Sequence, residues 1–294
     1  MSHSFIDYPL LARLSSLTIG SKTPMLGNVA GKHNSPHRGS STDFAEYRKY
    51  MPGDDTRRLD WKAFARSDRF YIKEFEADTN LRAYFVVDAS GSMNFAGNDT
   101  TKIEFARRIA ASLAYLLVKQ GDAAGLSVCT DKLHLEVPPS RRPAHLERFF
   151  STLASVQASG ETGLLDALHT IAEKINQRAL VVILSDLFTD PTGLADALRH
   201  LRHRKHDVAV FHLMDPLEIS FEFNQPHRFV DLEDQSSIVV EPNLIVDEYK
   251  MAITSFLTEI KAGCENTSAN YQLVHTGSPF EPLLREFLTK RLAR

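Results

Sequence analysis

Cysteine is nearly missing: Cys129 and Cys264 are the only two in 294 residues. Neither has a second Cys at ligand spacing, which excludes a disulfide framework and a Cys-based zinc site. Both are expected to be buried thiols of a reducing compartment. Long hydrophobic runs are missing too. The most apolar stretches, around Leu113–Val118 and Ala179–Leu184, fall far short of the ~20 residues of a membrane span. The opening MSHSFIDYPLLARL has neither a positive n-region nor a small-residue cleavage site, so no signal peptide is expected and the chain is placed in the cytoplasm. Charge of one sign is scarce as well. A net charge of −3 gives no global field to attract nucleic acid or an anionic membrane.

Familiar catalytic motifs are also absent. GNVAGK (Gly27–Lys32) has three residues between its glycines, no Ser or Thr after Lys32 and no preceding strand, which excludes a phosphate-binding P-loop. There is no G-x-S-x-G elbow and no HExxH, so neither a serine hydrolase nor a zinc protease is indicated. The basic run HLRHRKH (His200–His206) falls at the end of an expected helix, where it is read as a solvated terminus favourably placed on the helix dipole.

What is present is an ordinary globular composition, 43% hydrophobic and 24% charged, in a chain long enough for one large core with an extension. From about residue 80 onward, strand and helix patterns alternate. Strands are expected at Arg82–Asp88, Ala124–Thr130, Leu133–Val137, Ala179–Leu184, Val208–Leu213 and Tyr271–His275. Helices are expected at Lys102–Gln120, Pro143–Val156, Gly163–Asn176, Leu194–Arg204, Asn243–Ala262 and Glu281–Leu292. Glu218–Glu241 reads as β-rich and less regular. This alternation predicts an α/β fold, a doubly wound, mainly parallel sheet covered on both faces. Residues 1–80 are expected to form a β-rich extension, with loops over Gly20–Ser41 and a half-exposed strand at Arg69–Glu76.

The most informative segment is Leu81–Met93, LRAYFVVDASGSM. A buried strand delivers Asp88, Ser90 and Ser92 to its carboxyl end, where three oxygen ligands share one short loop. Hard cations such as Mg²⁺ or Mn²⁺ take such ligands. An Asx turn uses the same residue types, so the partners further along matter. Asp186 follows the ALVVIL strand, and Thr162 sits in SGETGLLDAL just before a helix. In an open α/β sheet these three loops converge on the carboxyl edge of the strands, where ligands bind.

Asp-x-Ser-x-Ser, then Gly-x-Thr-x₄-Ala-Leu (Gly160, Thr162, Ala167, Leu168), then strand–Ser–Asp resembles the metal-ion-dependent adhesion site of von Willebrand factor A domains. The resemblance implies that Ser90, Ser92 and Thr162 bind Mg²⁺ (or Mn²⁺) directly or through water. Asp88 and Asp186 would hold coordinating waters, and an acidic residue of a partner would complete the shell. A second resemblance covers nearly the whole chain. FAEYRKYMPGDDTRRLDWKAFARSDRFYIKEFEAD is similar to the signature of the bacterial domain-of-unknown-function family 58, carried by Arg48, Tyr50, Pro52, Gly53, Asp54, Asp55, Arg57, Asp60, Trp61, Lys62 and Arg66. The tail YQLVHTGSPFEPLLREFLTKR is similar too. That resemblance implies a partnership with a MoxR-type AAA+ ATPase or its client, in a form without the transmembrane helices of longer members. In the signature itself, Pro52–Gly53 suits a tight turn. Asp54 and Asp55 would accept from Arg57, Arg58 or Arg66, and Trp61 is expected to bury its ring.

The expected function is a non-enzymatic, metal-dependent protein-binding module. Two rivals stay open: a metal-assisted hydrolase of phosphate esters, and a scaffold whose PGDD–DW segment does the binding. No His or Glu motif beside the three loops offers the hydrolase a general base.

Overall fold

The structure is a computed structural model that describes residues 4–17, 19, 44–51, 60–67, 70–75, 81–97, 100–223 and 225–292. The PGDD turn and the Gly27–Lys32 segment lie outside the described residues. The chain divides into two compact units, Ser21–Leu81 on one side and Met1–Gly20 with Arg82–Arg294 on the other. The division departs from a boundary at residue 80 in its first segment, because the N-terminus carries a helix, α1 (Tyr8–Leu14), instead of β structure. Asp7 caps α1 by accepting from Leu10 N at 2.9 Å, and Leu10, Leu11 and Leu14 are buried along one side.

The smaller unit contains β1 (Phe44–Lys49), α2 (Trp61–Ser67) and β2 (Tyr71–Phe75). The two strands pair antiparallel, Tyr47 opposite Lys73. The helix between them was not expected. Asp60 starts it, its Oδ1 accepting from Ala63 N at 3.1 Å, and N-capping is what an Asp does well before a run of Lys, Ala and Arg. Trp61 does not bury its ring. It is 61% exposed, the first residue of the helix, with its ring edge-on to Phe64 at 6.3 Å.

The larger unit continues with β3 (Arg82–Asp88), a short 3-10 turn at Gly91–Asn94, α3 (Lys102–Lys119), β4 (Ala123–Cys129) and β5 (Leu133–Ser140). There follow α4 (Pro143–Ser155), α5 (Leu164–Lys174), β6 (Leu180–Ser185), α6 (Pro191–His203) and β7 (Asp207–Met214). The irregular stretch resolves into a short α7 (Pro216–Ser220) and an antiparallel hairpin of β8 (His227–Val230) and β9 (Ser237–Val240). The chain closes with α8 (Pro242–Asn266), β10 (Asn270–His275) and α9 (Phe280–Leu292).

Six strands form one sheet in the order β10-β7-β6-β3-β4-β5. All neighbours are parallel except β5, which runs antiparallel along β4. This is the doubly wound order, with its reversal between β3 and β6. Successive side chains of each strand feed opposite faces. Val86, Val181, Ile183, Val208 and Val210 pack with Leu168 of α5, Leu198 of α6 and Ile260 of α8. Phe85 meets Phe149 of α4 edge-on at 5.8 Å, and Phe211 meets Phe287 of α9 at 4.7 Å. Both cysteines are buried, as expected.

The basic run after α6 is not wholly solvated. His206 is fully buried, because the chain turns inward there to start β7. Burial, with Arg204, Arg178 and His200 adding to it, lowers its pKa from 6.5 to about 4. The unfolded chain takes up this proton first. The contribution of neutral His206 is therefore complete above about pH 6.5 and is lost as pH falls toward 4. We expect His206→Leu to flatten that part of a stability-against-pH profile by on the order of 2 kcal/mol. Urea titrations at pH 7.5 and 4.5 check it.

Candidate metal centre

The strand order reverses between β3 and β6, the place where such sheets bind ligands, and the sequence puts Asp88 at the carboxyl end of one and Ser185–Asp186 at that of the other. Asp88 is buried and is the hub. Its Oδ1 accepts from Ser90 N at 2.9 Å. Its Oδ2 accepts from Ser185 Oγ at 2.6 Å and from Thr162 Oγ1 at 3.4 Å. Ser90 and Ser92 have their hydroxyl oxygens 3.1 Å apart. The loop carrying Thr162 is tied to this one through the backbone: Gly91 N donates to Gly160 O at 2.8 Å and Ser159 N to Ala89 O at 2.9 Å. Gly160 adopts φ +75, a left-handed conformation that costs a glycine little.

The five side chains singled out in the sequence, Asp88, Ser90, Ser92, Thr162 and Asp186, thus come together at one edge of the sheet. Asp186 has company that was not foreseen. Lys102, the first residue of α3, is completely buried and donates to Asp186 Oδ2 at 2.7 Å and to Glu218 Oε1 at 2.6 Å. A capping box at Thr101 and Glu104 sets where α3 begins, and hence where this ammonium sits. It lies over the rings of Phe188 and Phe95, at 4.8 and 5.8 Å from their centres. Burial opposes its charge, but Asp186 and Glu218 outweigh burial and raise its pKa. Glu218 is held in turn by a second capping box with Asp215. Its pKa is raised by burial, with Lys102 pulling the other way.

A second unforeseen carboxylate comes from the tip of the β8–β9 hairpin. Burial raises the Glu233 pKa, with the Ser92 side chain and the Thr162 backbone pulling it down and Asp186 pushing it further up, so its carboxylate lies in the electrostatic reach of all three. The sequence shows no His or Glu motif beside the three loops, yet the fold brings two Glu residues there. Neither Glu218 nor Glu233 belongs to a local motif, and only the fold delivers them.

The balance of charge bears on whether a cation fits. Asp88, Asp186, Glu218 and Glu233 interact with one another through Asp186, and among the described residues Lys102 is the one ammonium paired with this group. Burial and then the charge of Asp186 hold the Asp88 carboxyl above the usual carboxylate range. A buried carboxylate next to a second one is costly unless a positive charge compensates. The donor set, three hydroxyls and carboxylate oxygens with no nitrogen or sulfur, suits a hard divalent cation. The residues present fit Mg²⁺ or Mn²⁺.

Comparison with known proteins agrees with the fold and the signature. Residues 46–255 match the family described as "Protein of unknown function DUF58". The chain belongs to the DUF58 family. The protein Rv1480 of Mycobacterium tuberculosis is 29% identical over 240 residues, 80% of this chain and 72% of that one. YeaD of Bacillus subtilis is 32% identical over 91 residues, 31% of this chain and 21% of its own length. Among solved structures, the conserved hypothetical protein BatB from Bacteroides thetaiotaomicron superposes with a TM-score of 0.50 at 13% identity, over 73% of this chain and all of that one. The VWA domain of SpRpn10 aligns over 71% of this chain and 95% of its own, at 11% identity and a TM-score of 0.41. The DUF58 chain thus has the expected α/β fold, its six-stranded, mainly parallel sheet in doubly wound order, and shares that fold with BatB. No helix among the described residues is long and apolar enough to cross a membrane.

Proposed function

We propose that this DUF58 chain is a divalent-cation-dependent protein-binding module. The observation that carries the reading is the convergence of Ser90, Ser92 and Thr162 on the buried Asp88 carboxylate, beside Asp186. Ser90, Ser92 and Thr162 would hold Mg²⁺ or Mn²⁺, with Asp88 and Asp186 anchoring its waters. Bound there, the ion would supply residual positive charge, poorly neutralised by hydroxyl ligands and therefore attractive to an acidic side chain. Asp88 orients the Thr162 hydroxyl and the Ser90 backbone, and Lys102, itself paired with Glu218, fixes Asp186. Of the two Glu residues at the site, Glu218 has its carboxylate engaged by Lys102 and by the backbone N–H of Asp215. It is not poised to activate a water.

The partner we propose is a MoxR-type AAA+ ATPase or a protein it remodels, as the family resemblance implies. Such an ATPase needs Mg²⁺ for its own nucleotide, so the test varies this chain and keeps the ion constant. Affinity for a purified MoxR-type ATPase from the same genome is measured by biolayer interferometry in Mg²⁺. Ser90→Ala, which deletes a ligand oxygen and little else, is expected to weaken binding roughly tenfold or more. Undiminished affinity in a folded Ser90→Ala variant contradicts the proposal.

A further inference from the structure

The β8–β9 hairpin is built as though to hold one carboxylate at the metal centre. Its turn is organised by Asp231, whose Oδ1 accepts from Glu233 N at 2.7 Å and from Asp234 N at 3.3 Å. Asp231 N donates to Ser236 O at 2.8 Å, and Gln235 takes a left-handed φ of 64 to close the turn. The stem is anchored by stacking: Phe229 lies parallel to Phe221 at 5.7 Å, and Phe221 to Tyr249 of α8 at 4.2 Å. The tip is pressed onto the ligand loop. A Cβ added to Gly91, between Ser90 and Ser92, would fall 2.0 Å from the Leu232 carbonyl oxygen and 3.1 Å from the Glu233 Cα. Glycine is the residue that allows this approach. From there the Glu233 carboxylate is near enough to the Ser92 side chain and the Thr162 backbone for both to favour its charge. Those two residues belong to the two loops that would grip the cation. An acidic side chain placed at this point by a hydrogen-bonded turn, with no basic group paired to it among the described residues, has the position that a partner's carboxylate would need.

We infer that Glu233 is an internal carboxylate ligand of the cation, so that the hairpin occupies the adhesion site and an incoming acidic partner must displace it. The inference rests on the metal-binding reading above and deepens it. It makes the binding surface self-covered. A partner gains access when the hairpin tip lifts, and its affinity is reduced by the fraction of molecules in which the tip is closed. Removing the Glu233 charge should then weaken the ion while easing access of an external carboxylate.

The test uses the full chain, Mn²⁺ as probe and two readouts. Mn²⁺ affinity is measured by electron paramagnetic resonance, and hydrogen exchange of residues 227–240 is followed with and without Mg²⁺. Glu233→Gln keeps the shape and one acceptor oxygen of the side chain while removing its charge, and this half-buried position does not threaten folding. The expected result is a Mn²⁺ affinity roughly 10–100-fold lower in Glu233→Gln, and a Mg²⁺-induced slowing of exchange in the hairpin that the variant lacks. Glu241→Gln, just beyond the hairpin, should leave both unchanged. Equal Mn²⁺ affinity in wild type and Glu233→Gln, with hairpin exchange indifferent to Mg²⁺, overturns the internal ligand and leaves the metal centre standing. No Mn²⁺ binding to the wild type overturns both.

Discussion

Lys102→Met is expected to lower the unfolding free energy by about 3–5 kcal/mol when divalent cations are chelated. The loss comes from what remains, since Asp186 and Glu218 would keep their carboxylates in a buried place with no ammonium between them. Against a typical total of about 5–15 kcal/mol, this single change brings the domain near its limit. Methionine nearly conserves the volume between Phe95 and Phe188, so packing contributes little to the loss. A second consequence follows from the same geometry. Lys102 and a divalent cation share Asp186, so removing the ammonium should tighten Mg²⁺ binding, and added Mg²⁺ should restore part of the lost stability. Urea denaturation of Lys102→Met with EDTA and with Mg²⁺ measures both. A loss under about 1 kcal/mol in EDTA would mean that the pair is not the anchor the structure depicts.

Cation binding itself should raise stability by mass action. At a free Mg²⁺ or Mn²⁺ concentration 100 times the Kd, the gain is about 2.7 kcal/mol. For a domain of this size that amounts to an increase in Tm of roughly 5–10 °C. The double variant Ser90→Ala/Thr162→Ala should show almost none of it. In the absence of the ion its melting should stay close to that of the wild type, because Ser185 and the Ser90 backbone N–H still serve the Asp88 carboxylate. Calorimetry with and without Mn²⁺ decides. An equal shift in both proteins would move the ion elsewhere.

The elements that were legible in the sequence are those where burial leaves a simple pattern. β3 and β6 are buried on both faces, so they read as unbroken apolar runs that end abruptly at Asp88 and at Ser185–Asp186. α3 carries an apolar stripe, and only its last residue differs from the expected span. Asp88 and Asp186 were readable because each stands where such an apolar run ends, and Ser90, Ser92 and Thr162 because each adjoins a glycine in a short loop. Lys102 was not readable. A lysine at the start of a helix looks solvated, and nothing local reveals that α3 begins above a pair of carboxylates. Glu218 and Glu233 lie far along the chain from Asp88 and reach it only through α7 and the hairpin. Their stretch reads only as β-rich and less regular, because its strands have four residues each and are mostly exposed, leaving no core periodicity. The same blindness hid His206, whose basic neighbours are exposed while the ring itself is buried as the chain enters β7. In the N-terminal segment, α1 and α2 are each seven residues long, shorter than the two to three turns over which helical periodicity becomes visible.

The measurement that tests the central claim most directly is a titration of Mn²⁺ into the intact chain, read by electron paramagnetic resonance, alongside Ser90→Ala/Ser92→Ala. The account predicts one ion per chain in the wild type, displaced by Mg²⁺, and binding weakened at least tenfold when the two hydroxyls are gone. A wild type that binds no ion, or a double variant that binds it equally well, would contradict it.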